Sequence, residues 1–71
     1  MPAITFAATA TQALTLGAEV VLLDVDPTTL LLTPEILERC SERLDFVVPV
    51  HIAGRLCDMP ALADIARQRG I

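Results

Sequence analysis

The spacing of apolar positions changes repeatedly along this chain, between runs that specify strands and periodic stretches that specify helices. Ala3 to Phe6 is short and apolar and suits the end of a strand. Ala7 to Leu16 is alanine-rich and closes at Gly17, which predicts a helix with a glycine stop, although its threonines weaken the propensity. Glu19 to Asp24 (EVVLLD) is a continuous β-branched and leucine run, the pattern of a strand covered on both faces. Thr33-Pro34-Glu35 reads as a helix start, with Thr as N-cap, Pro in the first turn and Glu favourable to the helix dipole. Ile36, Leu37, Cys40 and Leu44 then share a face, with Glu35 and Arg39 four apart opposite them. Asp45 to Val50 (DFVVPV) is a second buried-type strand, and Pro49 places that end where pairing stops. Asp58 caps a third helix, Met59 to Arg69, with Met59, Leu62, Ala63 and Ala66 facing inward. Gly70 ends it, and Ile71 begins a further element.

The order is therefore (β)αβαβα followed by the start of another strand. Alternation of this kind specifies an α/β architecture with a mostly parallel sheet, flanking helices and right-handed crossovers. The chain has 71 residues, 54% of them hydrophobic, and a domain of that size buries only roughly 60% of its unfolded surface. So apolar a composition in so small a body predicts that its strands are covered by further chain. Residues 1–71 are accordingly expected to be a partial domain, truncated at both ends.

The net charge of −4 excludes a nucleic-acid backbone or an anionic membrane as natural partner. No run of about 18 apolar residues exists to span a bilayer. Cys40 and Cys57 lie far apart, form no CxxC and follow no secretory leader, since Met1 is followed by Pro2 with no basic region. They read as free thiols in a reducing compartment, hence a cytoplasmic protein.

The stretch Asp24-Val25-Asp26-Pro27-Thr28 is the one candidate for chemistry visible without comparison. Phosphohydrolases of the haloacid dehalogenase type open with a strand and Asp-x-Asp-x-Thr. There the first Asp is the nucleophile, and Gly usually holds the fourth position. Here that position is Pro27, and a helix comes first. All five basic residues are arginines, so no lysine is available to hold a phosphate, and no later acidic pair suits Mg²⁺. The competing reading is a turn, in which Asp24 ends a strand and Asp26-Pro27-Thr28-Thr29 reverses the chain. No metal ligands and no catalytic side chain are assigned.

Four pieces in order resemble the DegT/DnrJ/EryC1/StrS aminotransferases: PAITFAATA (Pro2 to Ala10), GAEVVLLDVDPTTLLLTPE from Gly17, PVHIAG (Pro49 to Gly54) and DMPALADIARQRGI from Asp58. The similarity covers the whole chain in register, and in that family the Asp-x-Asp-Pro-x-Thr-Leu segment is a strand-to-turn feature. The resemblance implies part of the large domain of the aspartate-aminotransferase-like fold. It also implies a homodimer, pyridoxal 5′-phosphate (PLP) as cofactor, and transfer of an amino group from glutamate to a nucleotide-linked keto sugar. Some family members are dehydratases instead.

Few of the family's working parts fall inside these residues. The phosphate-binding turn would precede Met1, the carboxylate for the pyridine nitrogen would follow Ile71, and the cofactor-binding lysine would come later still. Phe6 matches the position whose ring stacks on the pyridine; read without the resemblance, a Phe after a strand is a core residue. His51 matches a cleft-lining position at a strand end, where ligands of α/β sheets gather, with direct acid–base catalysis the weaker assignment; read without the resemblance it is a loop-end histidine hydrogen-bonded to backbone. Thr5 and Thr9 could reach a ligand but suit helix capping better, and Arg55 suits a solvated surface better than an anionic substrate. The chain by itself is expected to be inactive, a catalytically incompetent remnant, and its α-amino group is expected to be flexible and placed by no cleft.

Overall fold

The computed structural model describes residues 1–71. It holds three α-helices, α1 (Ala8–Thr15), α2 (Pro34–Arg39) and α3 (Met59–Arg69), and one 3-10 turn at Ile52–Gly54. The body measures 30 × 28 × 17 Å, so it is a slab barely more than one helix and its packed partner thick.

The two runs read as strands are extended, but they make little ladder. One parallel bridge joins Pro2 to Leu23. Around it the Leu23 amide donates to Met1 O at 2.8 Å, and the Ala3 amide to Leu23 O at 2.8 Å. Pairing thus sits at the start of the Ala3–Phe6 segment and not along it. The Met1 ammonium donates to Val21 O at 3.1 Å, and burial holds that amine below its ordinary range. This corrects the expectation of a flexible terminus: the Val21 carbonyl of the neighbouring run holds it. Asp45 to Val50 has no bridge partner.

Both glycine stops form. At α1 the Ala18 amide reaches back to Ala13 O and the Gly17 amide to Leu14 O. At α3 the Ile71 amide reaches Ala66 O and the Gly70 amide reaches Arg67 O. This is the paired-bond geometry of a glycine C′ terminus, with Gly17 at φ +81 and Gly70 at φ +69.

Thr33 caps α2, its hydroxyl accepting from the Ile36 amide at 3.4 Å, but the helix is shorter than the apolar spacing predicts. It stops at Arg39, and Cys40 is already extended, so Leu44 packs from a loop and not from the same helix face. Around that end, a side chain from far along the chain takes over the carbonyls. The Arg69 guanidinium donates to Leu37 O at 2.6 Å, Cys40 O at 2.8 Å and Glu42 O at 3.2 Å. These bonds satisfy carbonyls that a continuing helix would have used itself. The expected Glu35–Arg39 ion pair is replaced by a bond from Arg39 Nε to the Glu35 carbonyl at 3.3 Å.

Asp58 caps α3, accepting from the Ala61 amide at 3.1 Å. Leu62 faces inward as expected and Ile65 packs on the core, whereas Met59 is exposed. The helix packs on α2, and α2 with α3 is the only packed pair of elements. The core is Leu23, Leu32, Leu37, Cys57 and Leu62. Only seven of 71 residues are buried, and α1 contributes none of them. Its Leu14 and the following Leu16 stay exposed, as do Phe46 and Val48.

Candidate functional site

Phe6 stands between the bent Ala3–Thr5 segment and α1. Its carbonyl accepts from the Thr9 amide at 3.1 Å, which fixes the backbone, while its ring is 83% exposed. The ring therefore contributes nothing to this core. Thr5 and Thr9 do not cap α1, whose N-terminus has no side-chain cap. Their hydroxyls bond to each other at 3.0 Å instead, one on each side of Phe6.

His51 ends the Asp45–Val50 run and opens a closed loop. Its Nδ1 accepts from the Cys57 amide at 3.0 Å, and the Cys57 thiol donates to Val50 O at 3.3 Å. Inside the loop Ala53 and Gly54 both take positive φ, +53 and +76; for a residue with a Cβ that region is uncommon. Cys57 belongs to the core, so the imidazole is fixed to the interior through one backbone bond while the ring stays exposed. Arg55 is not simply solvated: its Nη1 donates to Thr29 O at 3.1 Å, which ties this loop to the 26–31 turn.

The Asp-x-Asp pair is a turn. Asp26 Oδ1 accepts from the Thr28 amide at 2.9 Å, the Thr29 amide at 2.8 Å and the Thr29 hydroxyl at 3.1 Å. The main chain of Asp26 closes the same loop, accepting from Leu30 N at 2.7 Å and donating to Leu31 O at 2.9 Å. The Thr29 amide above all, then the Thr28 amide and the Thr29 hydroxyl, holds the Asp26 carboxyl below its ordinary range. Asp24 Oδ1 accepts from its neighbour's amide, Val25 N, at 2.8 Å. Asp26 is engaged in the turn, no three metal-binding side chains converge beside Asp24 and the chain has no lysine, so the phosphohydrolase reading has no support in the geometry. Beside this turn Glu35 is also held low, by its own backbone amide first, then by the Thr33 hydroxyl and the charge of Arg39.

Phe6 and His51 do not line a common hollow. The hollows lie between α1 and the Phe46–Val48 run, beside the Asp26 turn, and between Ala18 and Asp45. No three metal-binding side chains converge. Cys40 and Cys57 are both free thiols. No helix is long and apolar enough to cross a membrane.

Sequence reasoning missed Arg69; for His51 it anticipated a backbone hydrogen bond at a loop end, which forms, but not that Cys57 is the donor. A surface arginine in a last helical turn gives no signal of a partner about thirty residues back, and residue type does not say which backbone amide a loop-end histidine meets.

The DegT/DnrJ/EryC1/StrS aminotransferase family model matches residues 1–71. A pleiotropic regulatory protein of Geobacillus stearothermophilus is 39% identical over 70 residues, which is 97% of this chain and 19% of that protein. The 3-amino-5-hydroxybenzoate synthase of Amycolatopsis mediterranei is 40% identical over 72 residues, which is 100% of this chain and 19% of that protein. The chain thus spans about a fifth of the length of these relatives. No solved structure matches.

Proposed function

The chain belongs to the DegT/DnrJ/EryC1/StrS aminotransferase family, and from that premise we propose that it is one part of the large domain of a PLP-dependent sugar aminotransferase. In this reading its extended runs become members of a mostly parallel sheet once the remaining chain covers them, and the complete protein works as a homodimer. The reaction moves an amino group from glutamate to a nucleotide-linked keto sugar. The observation that carries the proposal is the family match along the whole chain.

When bound, the cofactor supplies the electron sink for amino transfer. The residues present fit one contact with it. An exposed ring on a fixed backbone, as at Phe6, suits stacking against a flat heterocycle, and covering a phenylalanine is favourable by about 1.5–3 kcal/mol. Covalent attachment needs a lysine, and the chain has none. His51 would line the cleft at the end of its run.

The test uses the full-length protein that carries this segment. It should bind PLP and aminate a nucleotide-linked keto sugar with glutamate as donor; failure to bind PLP would sink the reading. The relative that is a 3-amino-5-hydroxybenzoate synthase adds a second acceptor class, a non-sugar ring ketone, to be assayed alongside. A second reading, in which the 71-residue chain is a non-catalytic remnant standing by itself, draws on the missing lysine. Amination by the chain alone would exclude it.

A further inference from the structure

His51 is held in one tautomer by the backbone, and that decides what its exposed edge offers. A neutral imidazole nitrogen that accepts a hydrogen bond carries no proton, so the proton sits on the other nitrogen. Nδ1 accepts from the Cys57 amide at 3.0 Å, which places the proton on Nε2 of an exposed ring. The hold is built from several sides. Cys57 is anchored in the core at 5% exposure, and its thiol bonds to Val50 O at 3.3 Å. Arg55 fastens the far side of the loop to Thr29 O at 3.1 Å, and Ala53 is kept at φ +53, a conformation retained only where the surroundings enforce it.

We propose that His51 is a neutral hydrogen-bond donor, its Nε2–H directed at a hydroxyl, carbonyl or phosphoryl oxygen of the bound substrate, and that the loop closed by Cys57 exists to fix this tautomer. The proposal rests on the cleft-lining reading above and assigns the residue to binding. A general base needs a free lone pair; here one nitrogen is engaged by Cys57 and the other is protonated. A neutral imidazole N–H is likewise too weak an acid to serve as a proton donor in a transfer step.

Two variants of the full-length protein separate the halves of the ring. In His51→Asn the amide oxygen falls near Nδ1 and keeps the Cys57 bond, while nothing replaces Nε2–H. In His51→Gln the side chain reaches the Nε2 position with an N–H. Three readouts are used: the ¹⁵N shifts of the wild-type imidazole, calorimetric binding of uridine 5′-diphosphate, thymidine 5′-diphosphate and inorganic phosphate, and steady-state kinetics for the keto acceptor. The expected result is the Nε2–H tautomer in the wild type. His51→Asn should weaken the acceptor by roughly three- to tenfold in KM, the range of one lost neutral hydrogen bond, with kcat nearly unchanged and partial recovery in His51→Gln. A phosphoryl target lowers nucleotide affinity as well, whereas a sugar oxygen moves KM alone. An Nδ1–H tautomer, or His51→Asn with wild-type binding and turnover, overturns the proposal. A fall in kcat of roughly 10²–10⁴ would mark acid–base catalysis and overturn it too. A wild type that binds no PLP and transfers no amino group fails the functional reading, and this proposal with it. An active wild type with a silent His51→Asn fails this proposal alone.

Discussion

Phe6→Ala in the full-length protein separates a stacking ring from a core ring. At 83% exposure the ring makes few contacts within this segment, so its loss there should change stability by no more than about 0.5 kcal/mol. If it stacks, cofactor affinity should fall roughly two- to tenfold, since an aromatic pair adds about 0.5–1.5 kcal/mol beyond area. Phe6→Tyr and Phe6→Trp should keep most of it. Melting temperature and PLP dissociation measured on the same variants decide the matter: lost stability with unchanged PLP affinity would end the stacking assignment. Asp26 carries a pH prediction. Its folded carboxyl is held below the unfolded value of 3.8, so its contribution is full above that value and is lost as pH falls through the lower folded one. The Thr28 and Thr29 amide resonances of the full-length protein should therefore shift in acid in the wild type and not in Asp26→Asn, whose amide oxygen can still accept. What was legible at this scale was residue type. Asp26 announces a turn because Asp-Pro chemistry is local; Arg55 and Thr29 sit 26 positions apart, and nothing local links them.

Among the elements, the caps of α2 and α3 and the two glycine stops were the most legible features, whereas the end of α2 and the pairing of the apolar runs were the least. Thr33, Asp58, Gly17 and Gly70 all act within a few residues, so sequence order places them. Strand pairing depends on a neighbour elsewhere in the chain, and here only Pro2 and Leu23 meet. A Cβ at Gly17 or Gly70 would touch nothing within 4 Å. Gly17→Ala and Gly70→Ala should therefore cost alike, about 1–2 kcal/mol each, from the left-handed backbone alone. Chemical denaturation of the full-length variants checks this, and a much larger loss at one would reveal a neighbour closing over it. Arg69→Ala should cost about 0.5–1.5 kcal/mol, since only the bond to Leu37 O is part-buried and water can replace the donor at the other two carbonyls. Arg69→Lys should restore only part of that, because one ammonium cannot match a planar fork spread over three oxygens. Equal stability for arginine and alanine at 69 would show that water satisfies those carbonyls as well.

Taken whole, the molecule has a core of five buried apolar residues beneath a composition that is 54% hydrophobic. The exposed Leu14, Leu16, Leu22, Phe46 and Leu56 and the unpaired extended runs favour association between copies. The isolated 71-residue chain should therefore lack a cooperative thermal transition at low concentration; a sharp monomeric transition would show a self-sufficient domain. Treated with PLP and then borohydride, it should carry no stoichiometric adduct on a side chain, because no lysine is present. Mass spectrometry reads this directly, and a side-chain adduct would contradict it. The α/β reading came from alternation of runs, which is a property of the whole chain. The sheet itself requires partners that runs alone do not supply.

The Arg69 contacts also bear on synthesis. The guanidinium closes α2 from 29 positions beyond Cys40, and a six-residue helix is far below the length that holds by itself in water. A ribosome adding about 5–20 residues per second needs roughly 1.5–6 s to cover that interval. Throughout it, the carbonyls at the end of α2 face solvent and Leu37 lacks the helix that buries it. A nascent chain paused before residue 69 would present that unfinished apolar surface to chaperones, and completing one side chain removes it.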